Sequence, residues 1–277
     1  MEFGMPTLIE YQRTEQNLAL CGALGLRFIE LNMNFPAYQL TDAAEIERLA
    51  LLAEEARVYY TVHLDENLNI ADFNPAVSEA WLRTVHRAIE AAKKLLPLKK
   101  RFGAAQPLTL NMHLHPGVHI TLPNEKVRLY ERYFDVYFEA YRRFRTLCEE
   151  WIGGADLLMT VENTGGFRDY ERQVIAYLLE SPCFALTWDI GHSGAAGETD
   201  EPFLLAHRQK LRHFHIHDGS TVPPRNHLAL GDGELDVTGR LALAEACGAR
   251  CVLETKTEEA LRKSAAWLRE RGVMDEA

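Results

Sequence analysis

Hydrophobic and polar positions along the chain repeat one unit: a short apolar run that closes in polar residues, then a longer stretch with apolar residues at helical spacing. The runs predict strands at 6–10, 26–31, 58–63, 107–112, 157–161, 184–189, 211–217 and 249–254, rich in aliphatic, β-branched and aromatic residues. Between them the pattern predicts helices at 14–24, stopped by Gly25, and from a Thr41 cap through Ile46, Leu49, Ala50 and Ala53. Further helices are expected at 74–96, 123–151, 170–179, 201–210, 235–247 and 257–269. Strands joined by helical crossovers lie parallel, and eight of them predict an α/β fold, a (β/α)8 TIM barrel formed as one domain over residues 1–277. An open doubly wound sheet fits less well, because no Gly-rich phosphate turn follows an early strand.

Polar residues close at least six of the runs, as a site built radially at the carboxyl ends of barrel strands requires. The candidates are His63, His115, Glu162, Asp189 with His192, His215 with His217, His227 in the loop that follows, and Glu254. One such residue at a strand end is cheap. All of them together would crowd carboxylates into a shared cavity, and a bound cation is the simplest compensation. Oxygen and imidazole donors without thiolate suit Zn, Mn, Co or Fe, or Mg where carboxylates dominate. His113 is expected to point away from His115, and His217 away from His215. Glu30 ends the second strand, and Asp65-Glu66-Asn67 reads as a solvated loop.

With 277 residues, 47% of them hydrophobic and 25% charged, the chain suits one large core. The net charge of -10 gives no general attraction to a polyanion. Lys99-Lys100-Arg101 and Arg142-Arg143 with Arg145 are the best basic clusters, and both are expected on the outside of the barrel. Five scattered cysteines without a Cys-x-x-Cys pair argue for small buried residues rather than disulfides or a thiolate zinc site. No apolar run approaches the roughly 18 residues of a membrane span, so a soluble, cytoplasmic protein is expected. Tyr130, Tyr133, Phe134, Tyr137, Phe138 and Tyr141 form an aromatic stripe at helical spacing, expected to pack in the core, with a homodimer interface as its second use.

Taken in order, Thr61-Val62-His63, His115-Pro116-Gly117, Glu162-Asn163-Thr164, Asp189-Ile190-Gly191-His192, His215-Ile216-His217-Asp218, His227 through Leu230-Gly231-Asp232-Gly233, and Leu253-Glu254-Thr255 resemble the xylose isomerase-like barrels. That superfamily includes endonuclease IV, tagatose and psicose 3-epimerases, hydroxypyruvate isomerase and inosose dehydratase. In its isomerase and epimerase branches, the resemblance implies one divalent metal (Zn, Mn, Co or Mg) on Glu162, Asp189, His215 and Glu254. Glu162 and Glu254, on nearly opposite strands, would move protons through a metal-stabilised enediolate of a small sugar, sugar phosphate or polyol. His192 would contact substrate oxygen, His63 and His115 would line the pocket, and His227 falls near a polar substrate-binding position.

Resemblance to the endonuclease IV branch implies instead a zinc-dependent enzyme acting on abasic DNA. One zinc would sit on His63, His115 and Glu162, a second on Glu162, Asp189, His215 and Glu254, and a third on His192, His227 and an aspartate two residues before that His. Arg225 stands at the aspartate position. It weakens the third site and offers a planar fork for a substrate phosphate or carboxylate. The acidic charge and Arg225 favour the sugar reading, with a carbohydrate as the partner rather than nucleic acid. A barrel that keeps a metal only for stability or ligand sensing is the third possibility.

Overall fold

The structure is a computed structural model that describes residues 1–103 and 105–275. Eight parallel strands close into a barrel in sequence order: β1 (Phe3–Pro6), β2 (Phe28–Asn32), β3 (Tyr59–His63), β4 (Leu108–His113), β5 (Leu157–Glu162), β6 (Phe184–Asp189), β7 (Leu211–Ile216) and β8 (Arg250–Leu253), with β8 paired back to β1. Alternate strand residues form two sets, as the two-residue side-chain period requires. Ile29 and Leu31, Tyr60 and Val62, Leu110 and Met112, and Phe214 and Ile216 join the apolar faces of the surrounding helices in one core. Glu30, Thr61, Asn111, Thr160, His213 and His215 form the other set, all buried inside the barrel. There Thr61 Oγ1 donates to Glu30 at 3.0 Å and Thr160 Oγ1 to Asn111 at 3.1 Å, so the interior polar groups are largely matched to one another.

Several boundaries differ from the expectation, each for a local reason. β1 begins at Phe3, where Phe3 pairs with Cys251, and Ile9 is left exposed in the turn that follows. β4 continues through His113, whose backbone pairs with Glu162. Asp42, not Thr41, caps the second helix, accepting from the Ala44 N–H. Asn74 and Pro75 do open a helix, which runs past Pro97 to Phe102 and buries Lys99, whose ammonium pairs with the partly exposed Asp156. The expected helix over 123–151 is instead an antiparallel hairpin (His119–Thr121 with Lys126–Arg128), one helical turn and a helix from Phe134 to Ile152. Strand pairing of Val127 with Ile120 overrides a helical composition there. A second ribbon, Asp218–Thr221 against Pro224–Leu228, stands where a loop was expected.

Tyr130, Tyr137 and Tyr141 of the aromatic stripe are buried, Phe134 and Phe138 pack against the core, and Tyr133 stands exposed. Cys21, Cys148 and Cys251 are buried, Cys183 and Cys247 half-buried, and all five are free thiols. Arg142 pairs with Glu139, Arg143 with Glu79, and Arg145 with Glu149 and Glu180, so that basic cluster is neutralised on the outer surface. Among the described residues no helix is long and apolar enough to cross a membrane.

Candidate metal centre

Four adjacent strands deliver the central residues. Glu162 ends β5, Asp189 ends β6, His215 lies near the end of β7 and Glu254 follows β8; all four are buried. His215 Nδ1 lies 3.3 Å from Glu162 Oε1, 3.3 Å from Glu254 Oε2 and 3.8 Å from Asp189 Oδ2. One donor atom from each of the four falls within 4.8 Å of the others. Asp189 is also the N-cap of a short helix, Ile190–Ala195, where its Oδ1 accepts the His192 N–H at 2.7 Å. That bond fixes the carboxylate and brings the His192 ring to 3.2 Å from Asp189 Oδ2 and 3.6 Å from Glu162 Oε1.

Two histidines approach Glu162 from the other side. His63 Nε2 is 3.5 Å and His113 Nε2 3.1 Å from Glu162 Oε2, and Asn111 donates to the same oxygen. His113, expected to point away, is the ring that reaches Glu162: β4 continues to it, and residues two apart on a strand share a face, so it lies on the side of Asn111. His115 lies beyond the strand, where its Nδ1 accepts the Gly117 N–H at 3.0 Å.

His217, also expected to point away, lies against the centre. Its Nδ1 accepts the His227 backbone N–H at 2.7 Å, so Nε2 carries the hydrogen, 3.0 Å from Asp189 Oδ1. His217 therefore supports Asp189 instead of offering a lone pair to an ion, although it stands close to His227 and Glu254. Gly191 makes room for it: a Cβ there would lie 1.8 Å from His217 Cε1. Gly191→Ala is expected to cost about 2 kcal/mol or more through overpacking, read as a lowered denaturant midpoint with no change of slope. Gly166, by contrast, is demanded by its φ of +80° and by Thr199, whose Oγ1 a Cβ would meet at 2.4 Å.

Arg225 is exposed on the second ribbon, with Nε 3.3 Å from Ser220 Oγ. His227 Nδ1 is 3.8 Å from Glu254 Oε2. Lys256, which sequence reasoning passes over, places Nζ 2.8 Å from Glu254 Oε1. A lysine two residues beyond a strand-end glutamate carries no motif, so only the backbone path brings it in.

Burial opposes charge throughout this cluster, and at Glu162, Glu254, His215, His63 and His192 the neighbours overcome it. The His215 and His113 rings hold the Glu162 carboxyl well below the usual range, and His215 with Lys256 does the same for Glu254. In turn Glu162, Glu254 and Glu30 hold His215 well above the usual imidazole range. His63 is raised to about 9 by Glu162, and His192 to about 9 by Asp189 and Glu162. His227 is pushed down to about 4 by burial and by His217.

Yet His215 Nδ1, His192 Nδ1, His113 Nε2 and Glu254 Oε2 are buried without a hydrogen-bond partner. Buried polar atoms are rarely left so, and these surround the carboxylates of Glu162 and Asp189. Three carboxylates and an imidazole with inward-facing unpartnered atoms fit a divalent ion that accepts oxygen and nitrogen donors.

The sequence profile of the xylose isomerase-like TIM barrel family matches residues 18–271. The chain belongs to that family. No curated protein matches the sequence. Among solved structures, the barrel resembles a D-tagatose 3-epimerase-like protein (20% identity, TM-score 0.75, covering 99% of this chain and 98% of that one). It also resembles D-psicose 3-epimerase with D-tagatose from Clostridium cellulolyticum H10 (12%, 0.73, 99% and 100%). A third similar structure is the apo form of 3-keto-D-glucoside 4-epimerase from E. coli (16%, 0.71, 98% and 99%). At these identities the likeness is one of fold.

Proposed function

We propose that this protein is a divalent-metal-dependent isomerase or epimerase of a small sugar, sugar phosphate or polyol. The observation that carries the reading is the convergence of Glu162, Asp189, His215 and Glu254 on one point with His215 Nδ1 and Glu254 Oε2 unpartnered. Family membership and the sugar epimerases among the similar structures support it. An ion held by these four residues would supply a Lewis acid for a carbonyl and its neighbouring hydroxyl. Glu162 and Glu254, on β5 and after β8, stand on either side of His215. One removes the proton from the carbon beside the carbonyl and the other returns a proton from the opposite side. Lys256 holds Glu254 Oε1, and His192 is placed to hydrogen-bond a substrate oxygen. His63 and His227 line the site, with His115 and Arg225 on surrounding loops as contacts for the rest of the substrate.

A second reading rests on His63, His113 and Glu162, which form a further donor set. It would hold a second ion and bring the chain nearer to a zinc-dependent nuclease on abasic DNA. Against that reading stand the hydrogen on His217 Nε2, the exposed Arg225 and the paired surface arginines. Elemental analysis of protein purified without added metal or chelator separates the two. About one ion per chain, followed by exchange of a carbon-bound substrate proton with solvent in a ketose screen, is the expected result. Two or three tightly held zinc ions would put abasic-site DNA first.

A further inference from the structure

We infer that Glu30 is a positioning residue of the centre, setting which nitrogen of His215 faces the ion; this rests on the metal-dependent reading above. Glu30 sits on β2, 2% exposed, in the layer beneath the four candidate ligands. Its Oε1 lies 2.8 Å from His215 Nε2. Its Oε2 lies 2.8 Å from His213 Nε2 and accepts from Thr61 Oγ1 at 3.0 Å. An ionised carboxylate only accepts, so both rings carry a hydrogen on Nε2. For His215 this leaves Nδ1 as the lone-pair nitrogen once the ring is neutral, and Nδ1 is the buried atom without a hydrogen-bond partner, 3.3 Å from both Glu162 and Glu254.

Glu30, His213 and His215 also stand close enough together to suggest an ion of their own. Their facing atoms are already matched donor to acceptor, so the cluster acts instead as a support. Three strands fix it: β2 carries the carboxylate, β3 gives the Thr61 hydroxyl, and β7 gives both imidazoles. His213 and Thr61 hold one oxygen of Glu30, which leaves the other aimed at His215. A carboxylate behind a ligating imidazole fixes its tautomer and orientation and raises its basicity, and its loss weakens metal binding on the order of 10–100-fold.

The test is Co2+ titration of chelator-treated protein, followed by visible absorption, with folding checked by circular dichroism. Glu30→Gln keeps the shape and removes the charge, and is expected to bind Co2+ at least tenfold more weakly than the parent, with a changed visible band. Should that variant not fold, Glu30→Asp, which withdraws the carboxylate by one methylene, is read the same way. A folded variant with the parent's Co2+ affinity and spectrum overturns the inference while the metal reading stands. A parent that takes up no Co2+ overturns both.

Discussion

Glu254→Gln is expected to remove exchange of the substrate's carbon-bound proton with solvent, by about 10²–10⁴-fold if the carboxylate is a general base, in a protein that folds as the parent does. The size of the loss follows from the position of the side chain. Oε1 is bonded to Lys256 and Oε2 faces His215 without a hydrogen-bond partner of its own. An amide in that place keeps the volume but can neither take the proton nor match the ammonium and the imidazole together. The variant is also expected to hold metal more weakly, so exchange is to be measured over rising metal concentration. Recovery of parental exchange at saturating metal would make Glu254 a ligand alone and leave the proton transfer to another group.

The architecture is legible in the sequence because alternation is a global pattern: eight apolar runs separated by helical stretches admit few folds, and small errors at their ends do not change the count. The same errors matter at the site. Ending β4 at Met112 makes His115 the strand-end histidine and leaves His113 outside the strand. With the strand running one residue further, His113 shares the parity of Asn111 and faces Glu162. His217 departs from expectation because residues two apart along a strand share a face, so it follows His213 and His215 toward the centre. It lies just past β7, before the Asp218–Thr221 ribbon begins.

Glu30 is visible in the sequence only as a strand-end glutamate with several equally good uses. Its partners, His213 and His215, are more than 180 residues away in sequence and become neighbours only when the barrel closes through β1 and β8. What sequence reading does place together, Glu162, Asp189, His215 and Glu254, shares a simpler property. Each lies at or next to the carboxyl end of a barrel strand, so their convergence follows from topology with little help from side-chain detail.

Without metal, the protein is expected to be most stable near pH 6.5 and to lose stability as pH rises through about 9. His63 and His192 stand at about 9 in the folded protein against an ordinary 6.5. Their contribution is therefore fully present below 6.5 and lost as pH climbs through the folded value. A shift of that size corresponds to about 3 kcal/mol for one group, and the two share Glu162, so together they give less than twice that. On the acid side the Glu162 and Glu254 carboxyls, held below the usual 4.5, contribute stability present above that value and lost beneath it. His227, pushed down to about 4, costs stability as pH falls from 6.5 toward 4, which narrows the acid shoulder further.

Metal reverses the alkaline limb. The charge that protonated imidazoles supply in the metal-free cluster is then supplied by the ion, and because His215 must give up a proton to bind it, affinity rises with pH. Denaturant midpoints of chelator-treated and reloaded protein, taken from pH 5 to 9, should draw apart steadily above 6.5. A metal-free curve that stays flat over that interval would mean that the histidines around Glu162 are neutral in the folded protein, and that the carboxylate cluster is balanced in some other way.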